Sequence, residues 1–394
     1  MKIVFVTPRF PYPPLRGDQV RSFNQIKEIS KNHNLHVVSS SKKEIKKSEI
    51  KKLEKYCSSV SVFGVSSLGA YAKSLAGFFL RGESVNENFF CDNNFSKKLD
   101  RVVKDVGPNV VHFCMVRVAK YKAQVEGIPS SIDFIDALSL NLERKADQSP
   151  WWKRWFWETE GIRVGRLEKE ALRQFDHCFV TSEVDKQSLR NENEKKDVVV
   201  VPNGVDTDQF SYGGPAGRSD RALIFTGNMS YSPNVKAVCY FVEQVFPIIK
   251  KEVPGVEFRI VGAEPARAVM QLDQKKGVEV RGFVESIAEC LKKATVSVCP
   301  LQSGAGIQNK VLEAMSTGTP VVATPIAIEG IEGGEEGTHY LVGKNKDEIA
   351  DRIIELLYNC GRRMQISKQA RQFVEEKYTW GAQVDVMMNE FEKS

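Results

Sequence analysis

The 394-residue chain predicts an α/β protein built from two doubly wound, parallel-sheet domains. Three observations predict it. Short runs rich in Val and Ile alternate with helical patterns almost from end to end, which is how strands covered by helices on both faces read. Those runs are too many for one ordinary sheet. A turn-rich stretch, SYGGPAGRSD, follows DVVVVPNG near residues 202–217 and interrupts the series midway. Length suffices for two full domains, and 42% hydrophobic residues is ordinary for a globular protein.

In the first half, strands are expected at residues 3–6, 36–39, 60–65, 110–114, 132–135, 178–181 and 198–201. Between the first two, Val20, Phe23, Ile26 and Ile29 recur at helical spacing on one side of residues 20–30. The second half predicts strands at 223–226, 257–261, 278–283, 296–300, 321–324 and 340–342. Two closing helices, 362–377 and 380–393, are separated at Tyr378 and Thr379. The expected domains are 1–204 and 205–378, with the helix in 379–394 able to cross back onto the first. Ligands of such sheets bind beyond the carboxyl ends of the strands, so a cleft between the domains is the natural site.

Composition narrows the function classes. The chain opens MKIVFVTP, a strand running into a loop rather than a secretory h-region, and no run of about 18 apolar residues occurs. Eight cysteines are scattered without Cys-x-x-Cys pairs, and five histidines form no ligand cluster with them. Buried thiols in a reducing cytoplasm, with no resident metal or cofactor, are the expectation. A net charge of +6 without a recognised motif argues against nucleic acid. That charge is uneven. Lysines dominate KKEIKKSEIKKLEK, the run bounded by Lys42 and Lys55, and WWKRWFW places Trp151, Trp152, Trp155 and Trp157 beside Lys153 and Arg154. The lysines read either as a solvated helix face or as a contact for anionic lipid; the tryptophans suit a membrane interface or a core.

The segment PLQSGAGIQNKVLEAMSTGTPVVAT, residues 300–324, carries the most chemistry. It reads as a strand end, a small-residue turn, a helix, a Gly-x-Pro break and another strand. Gly304, Ala305 and Gly306 are expected to open the helix, leaving its first N–H groups and positive dipole end to an anion. Lys310, one turn in, and Glu313, three residues on, share a face. That order suits a nucleotide, with lysine toward diphosphate and glutamate toward ribose hydroxyls. An ordinary exposed helix pair is the other reading.

TPRFPYPPLRGDQVRSFNQI, PNGVD, FTGNMSYSPNVKAVCYF and GIQNKVLEAMSTGTPVVAT, in that order, resemble the family 4 glycosyltransferases of the GT-B architecture. More narrowly they resemble the exosortase-associated (PEP-CTERM system) sugar transferases. The resemblance implies two Rossmann-like domains and metal-free transfer of a sugar, with retention, from a nucleotide-sugar such as a UDP- or GDP-sugar. A glycan or lipid-linked acceptor in cell-surface polysaccharide synthesis is implied with it. Glu313 resembles the second glutamate of the family's E-x7-E pattern, and Ala305 stands where the first should be. Gly306 and Ile307, with Gln308 or Asn309 nearby, are then expected to meet the donor through backbone N–H groups. Phe283 and Val284 match the loop at the nucleobase, and Gly17 the glycine near the diphosphate. Many relatives carry an arginine and a lysine after the strand ending at Thr226; here Gly227 and Asn228 stand there, which leaves Lys310 as the main cation. Val311 completes the expected donor set.

For the acceptor, His112 and Asp136 are expected at carboxyl ends of their strands, with Asp133 the alternative to Asp136. Arg9 and Arg21 flank the Gly17 loop and read equally as surface residues. Three rivals remain at this point: a metal-binding D-x-D at Asp206 and Asp208, a nucleotide-sugar 2-epimerase, and a catalytically silent partner in glycan assembly.

Overall fold

The computed structural model describes residues 1–41, 44–64, 74, 76–90, 92–147, 149–190, 196–214, 221–303 and 306–393. They form two compact units, Met1–Pro202 with Gln383–Ser394, and Asn203–Ala382.

The first unit holds β1 (Lys2–Thr7), β2 (Asn34–Ser41), β3 (Ser59–Gly64), β4 (Val110–Cys114), β5 (Ser130–Asp133), β6 (His177–Val180) and β7 (Val198–Val200), in the spatial order β3-β2-β1-β4-β5-β6-β7. Every pairing is parallel. Strand side chains alternate between the two faces of a sheet, and here both faces are covered. Ile3 and Phe5 pack with Ile26, Leu53 and Met387, whereas Val4 and Val6 pack with Leu99, Val103 and Leu167. Burial on both sides is why the central strand β1, KIVFVT, is a near-continuous apolar run, whereas β3, SVSVFG at the sheet edge, is only half-buried.

The Gly17–Ile29 helix departs from its expected stripe. Ile26 and Ile29 are buried as the spacing predicts, but Arg21 and Gln25 fill the preceding turns and Val20 and Phe23 are only half-buried. A carboxylate at the end of β5 is the cause, as the site shows below.

The second unit holds β8 (Ala222–Thr226), β9 (Glu257–Val261), β10 (Val278–Gly282), β11 (Val296–Cys299), β12 (Val321–Ala323) and β13 (Leu341–Val342), ordered β10-β9-β8-β11-β12-β13 and again all parallel. Both sheets follow one plan. The first strand has the second and third on one side and the fourth on the other. Connections therefore diverge between β1 and β4, and between β8 and β11, opening a crevice at the carboxyl ends there. The non-glycine residues with positive φ among those described, Met115, Ile135 and Glu264, all lie just beyond the carboxyl ends of strands. Backbone strain of this kind concentrates at ligand sites.

The two features expected to meet a membrane lie on opposite sides of the first sheet. Leu53, ending the Lys47–Leu53 helix, packs on one face; Leu167 and Leu172 of the Trp151–Gln174 helix pack on the other. Lys42 and Lys43 fall outside the described residues. Trp151, Trp152 and Trp155 are exposed, and Lys153 sits 4.5 Å from the centre of the Trp152 ring. Among the described residues, no helix is long and apolar enough to cross a membrane.

Candidate functional site

In the second unit the carboxyl ends of β8, β9 and β10 are laced together by backbone. Gly227 N–H donates to Val261 (3.1 Å), Gly262 N–H to Gly282 (2.8 Å) and Met229 N–H to Ala263 (2.9 Å). Two glycines make this approach possible. Both Gly227 and Gly262 sit at φ 154°, and a Cβ on Gly262 would lie 1.7 Å from the Gly227 carbonyl oxygen. No side chain fits there, and only glycine adopts the conformation readily.

Above this floor stands Lys310. Helical side chains lean toward the helix N-terminus, and Lys310 is the second residue of the Asn309–Ser316 helix, so its ammonium reaches past the helix start. Nζ donates to Asn234 Oδ1 (2.9 Å) and Gln308 Oε1 (3.2 Å), and lies 5.3 Å from the centre of the Phe225 ring on β8. It therefore occupies the β8–β11 crevice with amide oxygens as described partners rather than carboxylates. Burial lowers its pKa, opposed by Cys299 and Glu313. Glu313 is half-buried, its carboxyl pushed up to about 7 by burial against the pull of Lys310.

Several expectations around this lysine need correction. The helix begins at Asn309, with Gln308 as N-cap, and not at the glycines. Gly306 has φ 68°, a left-handed conformation that cannot belong to a right-handed helix. Lys310 thus stands at the helix start instead of one turn in. Val311 is buried in the core and its N–H donates to Gln308 oxygen (2.8 Å), so neither side chain nor N–H is available to a ligand. Gly304 and Ala305 lie outside the described residues. Ile307 is nearly buried, its backbone close against Gly330. Beyond β10, Phe283 is 70% exposed while Val284 packs partly into the core.

Asn228 is held by its own turn, its Oδ1 accepting from Ser230 N–H (2.8 Å). Asn234, which spacing did not single out, is buried and donates through Nδ2 to the Asn228 carbonyl (2.9 Å) while accepting from Lys310. A strand-end loop, the next helix and a helix far along the chain meet in this one amide, and no local pattern signals that.

In the first unit the geometry divides the acceptor candidates. His112 is not at a strand end: it sits mid-way along β4, wholly buried, Nδ1 2.8 Å from Ser131 Oγ and its ring centre 4.9 Å from Phe5 and 5.9 Å from Phe391. Burial lowers its pKa to about 4, so it is a neutral core imidazole without access to a substrate. Asp133 is equally buried, accepting from Arg21 Nε (2.7 Å), Gln25 Nε2 (2.7 Å) and Ile135 N–H (3.0 Å). Arg21, for which a place beside the Gly17 loop and an exposed one were both open, is thus a core cation paired to this carboxylate. Asp136, past the end of β5, is partly exposed, and burial of its carboxyl, then Asp185, pushes it up to about 7. Gly17 is exposed at the start of its helix, with open space where a Cβ would point. Arg9 pairs with Asp18.

The D-x-D is engaged locally, since Asp206 Oδ1 accepts from Asp208 N–H (3.2 Å) and Gln209 N–H (3.0 Å), closing a turn. No group of three His, Cys, Asp or Glu suited to a metal occurs among the described residues.

Residues 220–359, which contain this crevice, match the family model described as glycosyl transferases group 1. The match lies wholly within the second unit. An uncharacterized glycosyltransferase of Methanocaldococcus jannaschii is 29% identical over 171 residues, 41% of this chain and 42% of that protein. The poly(ribitol-phosphate) alpha-N-acetylglucosaminyltransferase of Staphylococcus aureus is 22% identical over 232 residues, 56% of this chain and 45% of that one. The chain spans less than half the length of these curated relatives. Over its whole length it superposes on the crystal structure of Anabaena HepE in complex with UDP and glucose, covering 100% of both chains with a TM-score of 0.70 at 13% identity. The fold is that of GT-B glycosyltransferases, two parallel-sheet α/β domains of seven and six strands.

Proposed function

We propose that this protein is a retaining glycosyltransferase that moves a sugar from a nucleotide-sugar donor to a glycan or lipid-linked acceptor, without a metal ion. The observation that carries the reading is Lys310, an ammonium set in the β8–β11 crevice with amide oxygens as its described partners. An ammonium carries three donors, and those contacts take two of them. A diphosphate oxygen is the natural third partner.

In the proposed reaction the bond from the anomeric carbon to the diphosphate oxygen breaks as the acceptor oxygen bonds that carbon from the same face. Negative charge gathers on the departing diphosphate, where Lys310 and the helix N-terminus behind it stabilise it. The departing phosphate oxygen takes the acceptor's proton, so no strong protein base is needed. His112 has no part in this scheme. Glu313 accepts from the ribose hydroxyls, the backbone at Phe283 and Val284 flanks the nucleobase, and Asp136 orients the acceptor. The narrower resemblance, to exosortase-associated sugar transferases, supports an acceptor in cell-surface polysaccharide synthesis. Exposed Trp151, Trp152 and Trp155 beside Lys153 suit a lipid-linked acceptor at an anionic membrane surface.

Calorimetric titration with UDP, GDP, ADP and dTDP in excess chelator tests this reading. Binding of one of them without metal supports the donor site and names the base; binding of none removes it.

A further inference from the structure

We propose that Asn234 is a positioning residue that aims the Lys310 ammonium at the donor's diphosphate and keeps it uncompensated. The inference rests on the donor reading above. Asn234 lies in the first turn of the Ser232–Tyr240 helix, 4% exposed. Both ends of its amide are used across elements: Oδ1 accepts from Lys310 Nζ (2.9 Å) and Nδ2 donates to the Asn228 carbonyl (2.9 Å). One partner is a donor and the other an acceptor, so the amide has a single orientation. Nδ2 would also be 2.8 Å from a Cβ placed on Gly227, so the side chain lies close along the glycine backbone.

The chemistry calls for a neutral group of this size. A carboxylate would make a short ion pair with Lys310, cancelling the charge a diphosphate needs and repelling that diphosphate. An apolar group would remove an acceptor from a partly desolvated ammonium, favouring its neutral form. An amide oxygen holds the ammonium in place without neutralising it. The remaining groups near the lysine leave its charge to the ligand. Phe225 and Gln308 are uncharged, burial raises the Cys299 thiol's pKa, and Glu313 acts at longer range without an ion pair.

The test measures UDP affinity against pH by calorimetry for the wild type, Asn234→Leu and Asn234→Asp, with thermal melting of each. Both variants are expected to bind UDP at least tenfold more weakly at pH 7.5. Their alkaline limbs, where Lys310 loses its proton and binding falls, should move in opposite directions. Leucine shifts the limb to lower pH and aspartate to higher pH, an opposition that a general loss of structure does not produce. Wild-type affinity with an unmoved limb in a variant that melts like the wild type overturns the proposal; if one variant does not fold, the other decides. Should the wild-type protein bind none of the four nucleotides, the donor reading itself fails, which is a separate result from normal binding by the Asn234 variants.

Discussion

Lys310 and Glu313 give opposite tests at the scale of single residues. Removing the ammonium in Lys310→Ala should lower turnover on the order of 100-fold or more, since it removes charge stabilisation of the leaving group; full activity would sink the assignment. In the proposed donor site Glu313 accepts from ribose as a carboxylate, and with its carboxyl pushed up to about 7 the ionised fraction climbs through neutrality. UDP affinity should therefore rise about tenfold between pH 6 and pH 8. UDP's own phosphate titrates nearby, so the slope is read against Glu313→Gln, in which this contribution disappears. His112 makes a stability prediction instead. Its folded pKa of about 4 lies below the ordinary 6.5, so the unfolded chain binds the extra proton between those values. The contribution is complete above pH 6.5 and lost as pH falls toward 4, worth about 3 kcal/mol. Urea midpoints of the first unit should fall less between pH 7 and pH 4.5 in His112→Leu than in the wild type. Equal falls would mean that the imidazole is not held neutral.

Elements were legible in the sequence where their cause was local, and obscure where it was not. The thirteen strands among the described residues were legible, most clearly where a strand covered on both faces is an apolar run, as in KIVFVT of β1, and less so in SSID of β5. The lysine-bearing helix is legible too, but the small-residue turn sets its expected start too early. Three small residues resemble a helix opening, whereas Gly306 at φ 68° is a turn that the letters do not distinguish. The strand at 110–114 is legible, but its bounds put His112 in the middle rather than at the carboxyl end, and the register buries the ring. Asn234 and the Arg21–Asp133 pair were beyond reach, since their partners come from separate parts of the chain. The glycine contact between β8 and β9 is the element-scale feature most exposed to mutation. Gly262→Ala sets a carbon 1.7 Å from a carbonyl oxygen at a φ unsuited to alanine. It should destabilise the second unit by about 3 kcal/mol or more and abolish UDP binding. A melting temperature and UDP affinity like the wild type would show that the two loops are free to separate.

For the whole molecule, the aromatic cluster on the Trp151–Gln174 helix makes a prediction independent of the donor site. That helix is fixed at its middle. Buried Glu160 accepts from Ser84 Oγ (2.7 Å), Val85 N–H (3.0 Å) and Asn86 N–H (2.9 Å), and Arg163 donates to the Phe78 and Glu83 carbonyls at 2.9 and 3.1 Å. Phe78 is thereby buried while Phe79 and Leu80 stand 68% and 83% exposed. Trp151, Trp152 and Trp155 are exposed on that helix, and the Trp155 ring centre lies 6.2 Å from that of Phe78. Wild-type protein should float with anionic vesicles, and the triple change of those tryptophans to serine should abolish flotation. Failure of the wild type to float removes the membrane suggestion but leaves the donor site untouched. The shared strand order has a practical consequence as well. If ligands are met only where strands end, then the opposite rim, where strands begin, is free for engineering. A fluorescent domain spliced between exposed Gln274 and Lys275, in the turn that leads into β10 from the amino side, should report on the protein without disturbing its work.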